Sequence, residues 1–127
     1  MIFGAAAAIV AAALLPQSGP ETIELTVRNS RFEPAEIRAE AGTTVRLVVR
    51  NLDPIAHELI VGPPAVHTRH EAGRDRHHHG DVPGEVSLGI GQTAETTYTF
   101  SEPGILEFAC HLPGHYRYGM HGTVRVA

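Results

Sequence analysis

The chain has no lysine and no tryptophan, a single cysteine, and only one methionine besides the first residue. Each shortage excludes something. One cysteine cannot close a disulfide within the chain, which leaves a free thiol, a metal ligand or half of an intermolecular bridge. With arginine as the only fixed cation and a net charge of −4, there is no clustered basic surface of the kind that phosphate binding needs, so nucleic acid is excluded as a partner. The missing lysine is itself read as coding bias. Long apolar runs are scarce too. The one that exists, residues 2–15, is followed by Pro16, Ser18, Gly19 and Pro20. It is short for a membrane span and suits the apolar region of a signal peptide, with Ala11-Ala12-Ala13 as a small-residue cleavage context. No arginine precedes it, so residues 1–19 are expected to be an atypical signal peptide or a short N-terminal anchor. Export to a periplasmic, extracytoplasmic or cell-surface location follows.

What is present from residue 20 onward is alternation. Ile23, Leu25 and Val27 interleave with Glu24, Thr26 and Arg28, and Val45, Leu47 and Val49 repeat the pattern before an Asn51-Leu52-Asp53-Pro54 turn signal. Further short strands are expected at 56–61, 85–90, 93–100, 105–110 and 122–126, with Phe32 and Ile37 in a less regular stretch around Pro34. With 127 residues in all, the chain is read as one domain, 20–127. Its predicted fold class is all-β: an antiparallel Greek-key sandwich of seven to eight strands. The exception is residues 62–84, an insert that carries five histidines and no hydrophobic period. A short helical turn around residues 66–71 is the only regular structure expected in it.

Chemistry concentrates near the C-terminus, in Cys110-His111-Leu112-Pro113-Gly114-His115 and Met120. Alternation puts Leu106, Phe108 and Cys110 on one strand face, so the sulfur points inward at a strand end. By the same count His57 shares a face with Leu59 and Val61, and two adjacent strands would bring His57 and Cys110 to one pole. Pro113-Gly114 turns the chain so that His115 comes back towards Cys110. One thiolate, two imidazoles and one thioether match a trigonal His₂Cys copper site with a weak axial methionine. A soft thiolate suits reduced copper and imidazole suits both oxidation states. Structural zinc sites do not normally recruit methionine.

On these residues the chain resembles the small cupredoxins, the plastocyanin and azurin group. The C-x4-H-x4-M loop is similar in spacing to rusticyanin and auracyanin, and the segment FEPAEIRAEAGTTVRLVVRNLDPIAHELIVG resembles the cupredoxin approach to the first copper histidine. The resemblance implies a cupredoxin-like sandwich, one type 1 copper held by His57, Cys110, His115 and Met120, and one-electron transfer to a redox protein partner. There are departures. Glu58 stands where plastocyanin and azurin have an asparagine that ties the ligand loops together. His111 and His121 directly follow two of the proposed ligands and are competitors for the metal.

Three functions compete. The first is an exported mononuclear electron carrier, a monomer soluble once free of its N-terminal segment. The second is a copper-tolerance protein that exchanges metal with a copper donor, capturing copper through the histidine insert and the Cys/Met site. Its candidate secondary ligands are His67, His70, His77, His78 and His79. The third is an enzyme. A nucleophilic Cys110–His pair would need an activated thiolate and an orienting group, and a core-facing cysteine argues against both. Multicopper oxidases and copper nitrite reductases use a similar copper unit but add further domains, so the chain is read as non-enzymatic.

Overall fold

A computed structural model of the chain describes residues 7–13, 19–74 and 81–127. Nine strands form two sheets: β1 (Glu21–Arg28), β2 (Arg31–Glu33), β3 (Glu36–Ala39), β4 (Thr43–Asn51), β5 (His57–Gly62), β6 (Glu85–Leu88), β7 (Thr93–Phe100), β8 (Gly104–Ala109) and β9 (His121–Val126). One sheet runs β2-β1-β4-β7 and the other β3-β9-β8-β5-β6. Alternation decides what lies between them. Leu25, Val27, Val45, Leu47 and Val49 from the first sheet meet Leu59, Val61, Phe108 and Val124 from the second, all almost fully buried. Removing this apolar surface from water is the dominant stabilising contribution.

Two expectations need correction. The strands number nine among the described residues, because Phe32 and Ile37 each anchor a short strand of their own. The irregular stretch around Pro34 is where the chain passes from one sheet to the other. That crossing also explains why the sandwich is not wholly antiparallel. β1 pairs with β4, and β3 with β9, in parallel. Parallel neighbours require an intervening crossover, and the detour through the opposite sheet supplies it.

The histidine insert is more ordered at its start than its composition suggests. Pro64–Glu71 form a helix, α1, with Pro64 at the first turn, where a missing N–H costs nothing. α1 packs on β5 and β8, and β5 is buried along its whole length as a result. The helix's buried positions are His67 and His70. Residues 75–80, which include His77, His78 and His79, lie outside the described residues, as does most of 1–19.

Candidate metal centre

β5 and β8 are neighbours, with Ile60 opposite Ala109, so the start of one strand and the end of the other reach the same pole. His57 opens β5 and is buried; Cys110 follows β8 and is fully buried. The loop then turns through a short helix, α2 (His115–Tyr118), into β9. Backbone bonds fix this loop: Cys110 N–H donates to the Met120 carbonyl at 3.0 Å, and Met120 N–H donates to the His115 carbonyl at 3.1 Å. Gly119 ends α2 at φ +118°, and a Cβ there would lie 2.7 Å from Arg31 Nη1. The backbone angle selects glycine, because the arginine tip can move aside.

The loop brings three ligand atoms together. His57 Nδ1 lies 3.1 Å from His115 Nδ1, and Cys110 Sγ lies 3.4 Å from His115 Nδ1. One ligand atom from each of His57, Cys110 and His115 falls within 4.8 Å of the others. Met120 is fully buried in the same loop.

Asp53 settles which His57 nitrogen is free. Its Oδ2 accepts the proton of His57 Nε2 at 2.8 Å, leaving the Nδ1 lone pair turned into the site. Burial would raise the Asp53 carboxyl, but N–H bonds from Ser30 and Asn29 and the bond from His57 outweigh it and hold it below its ordinary value. Asn51 in turn fixes the loop: its side-chain amide donates to the carbonyls of Ile55 and Gly89, and its Oδ1 accepts from Asp53 N–H. In the sequence this stretch reads only as turn punctuation. An acid four residues before a histidine was the available signal.

Burial pushes the Cys110 thiol up to about 12; the N–H groups of Leu112 and Glu58 lower it, whereas the charges of Glu58 and Glu71 raise it. The metal-free thiol is therefore protonated at neutral pH, which suits a ligand that releases its proton to solvent when a metal binds and not a ready nucleophile. Burial, then the neighbouring His57, lowers the pKa of His115 and keeps that imidazole neutral. Glu58 Oε1 accepts the His111 N–H at 3.0 Å and so joins β5 to the loop after β8.

The remaining histidines separate. The His111 ring turns away from Cys110, with Nδ1 donating to Glu71 Oε2 at 2.6 Å and Nε2 facing His67 Nδ1 at 2.8 Å. His70 binds Glu85 Oε1 at 2.9 Å and its ring stacks on His111 at 6.4 Å. Tyr116 stacks between His111 and His121 and donates its hydroxyl to the Glu107 carboxylate. Tyr118 is exposed beneath the Arg31 guanidinium.

The cupredoxin-like domain family matches residues 1–126. The chain belongs to this family. Among curated proteins it is 32% identical to the copper-resistant cuproprotein CopI of Pseudomonas aeruginosa, over 83% of this chain and 75% of that protein. It is 38% identical to the copper-resistant cuproprotein CopI of Rubrivivax gelatinosus, over 76% of this chain and 59% of that one. Among solved structures it resembles auracyanin A, a "blue" copper protein of Chloroflexus aurantiacus, at 25% identity and a TM-score of 0.70, covering 86% of this chain and 100% of the other. This cupredoxin is a copper protein. Its clustered thiol and paired imidazoles, with the buried thioether of Met120 in the same loop, fit a single type 1 copper.

Proposed function

We propose that this cupredoxin is an exported type 1 copper protein serving copper tolerance, with His57, Cys110 and His115 as the equatorial ligands and Met120 as the axial one. The observation that carries the reading is the convergence of His57 Nδ1, Cys110 Sγ and His115 Nδ1 at one pole, with His57 and Cys110 buried and His115 partly exposed. Copper bound there supplies one-electron chemistry between its two oxidation states. The protein's part is to hold the donors still: Asp53 orients His57, Glu58 pins the loop at His111, and the Leu112 and Glu58 amides stabilise the thiolate. Copper tolerance is the function in the names of the CopI relatives. Export is supported by the apolar run at residues 2–15. The histidine insert adds capture capacity.

A simple electron carrier is the second reading. It is favoured by the likeness to auracyanin A and by exposed Leu52, Ile55 and Ile90, which sit on two loops joined by Asn51 and suit a redox partner. Loss of the gene separates the two. The tolerance reading predicts growth failure under copper stress with respiration intact, rescued by the wild type and not by Cys110→Ser. Normal copper tolerance with slowed electron flow would replace it by the carrier.

A further inference from the structure

The way His57 presents a bare nitrogen has a counterpart on the other side of Cys110. His67 Nε2 lies 3.1 Å from the Gly62 carbonyl and 2.9 Å from the Glu107 carbonyl. Carbonyls only accept, so Nε2 carries the proton and Nδ1 keeps its lone pair. Glu71 receives the proton of His111 Nδ1, which leaves a lone pair on His111 Nε2. These two bare nitrogens face each other at 2.8 Å. Acceptors hold the outer nitrogen of each ring, so the facing pair has at most one proton to share and a metal ion can take its place.

We propose that His67 Nδ1 and His111 Nε2 are the protein ligands of a second copper site, one residue along the chain from the type 1 thiolate. Both histidines are more than nine-tenths buried, and their positions come from separate elements, α1 and the loop after β8. Metal–imidazole bonds of about 2.0–2.1 Å place two bridged nitrogens roughly 4 Å apart at most, so modest outward rotation admits the ion. A cavity of about 420 Å³ lined by His67, Glu71, Glu107, His111 and Tyr116 gives the metal a route in and room for solvent ligands. Imidazole suits copper and zinc alike, and the divalent series favours copper. The site assigns a role to two histidines that the type 1 centre does not use, and it does not depend on His77, His78 or His79.

The test loads the full chain with copper, removes weakly held metal, and counts what stays by elemental analysis alongside the visible spectrum. Wild type should retain two coppers, and His67→Gln and His111→Gln one each, with the thiolate absorption kept. Glu71→Gln, altered at a half-exposed side chain, should bind the second copper about 10–100-fold more weakly. Changing His77, His78 and His79 together to Gln should leave both coppers in place. One copper in wild type, two in either single histidine variant, or loss of the second copper in the triple variant overturns the proposal. If a histidine variant loses the thiolate absorption, the Glu71→Gln titration decides, and an unchanged affinity overturns the site. A wild type without that absorption contradicts the type 1 reading instead, whatever its copper count.

Discussion

Asp53 gathers three hydrogen bonds on one carboxylate, from Asn29, Ser30 and His57. It thereby fastens the β1–β2 turn to the first copper histidine. Replacing it with alanine leaves two backbone N–H groups and the imidazole without their acceptor. Asp53→Ala should weaken copper binding by about 10–100-fold and lower stability by about 1–3 kcal/mol, read by competition titration and by thermal unfolding of the metal-free chain. Cys110 makes the complementary case. With its thiol pushed up to about 12, the metal-free protein should react with iodoacetamide at pH 8 at least about a hundredfold more slowly than a free thiol. Rapid alkylation would show that the sulfur is neither buried nor held as described. The convergence of His57, Cys110 and His115 was legible in the sequence, because strand alternation and the spacing of one loop suffice to place them. Asp53 was not, because the same Asn-x-Asp-Pro letters mark a turn whether or not the carboxylate has a second partner.

At the scale of the element, the strands were readable and the helix nearly was not. β1, β4 and β7 follow a period of two that any apolar count detects. α1 buries imidazoles where such a count looks for aliphatic side chains, so its inward face resembles solvated loop. The Glu58 tie was hidden because strand alternation does not show which backbone N–H a buried carboxylate meets; the contact with His111 N–H does. β8 and β9 offer a direct test of packing. A Cβ on Gly122 would lie 2.2 Å from the Phe108 ring and 2.5 Å from the Ala35 carbonyl. Gly122→Ala should therefore cost about 1–3 kcal/mol and lower the melting temperature by at least about 4 °C. An unchanged melting temperature would mean that β9 does not approach Phe108 so closely.

Across the whole molecule, several wholly or partly buried groups respond to acid in the same direction. His67 and His115 have pKa values below the ordinary 6.5, so below that pH the unfolded chain binds protons that the folded chain refuses. The contribution of these two histidines to the stability of the metal-free protein is therefore full above about pH 6.5 and declines as pH falls towards the folded values. Asp53, held below 3.8, adds a further loss as pH drops past its unfolded value. Melting temperatures of the metal-free chain between pH 8 and 5 should fall with pH; a flat or rising profile would contradict the burial of these groups. The mixed parallel and antiparallel pairing was the least legible feature, because local sequence does not record which sheet a short strand joins. The pole it builds is nonetheless the one the ligand spacing required.

The thiolate site is what would make this cupredoxin a type 1 copper protein. Copper(II) added to the metal-free protein, followed by visible absorption and electron paramagnetic resonance together, tests it most directly. An intense blue or green band that saturates at one thiolate-bound copper per chain, with a narrow hyperfine pattern, is the predicted result. A colourless protein that takes up copper with ordinary type 2 spectra would contradict it.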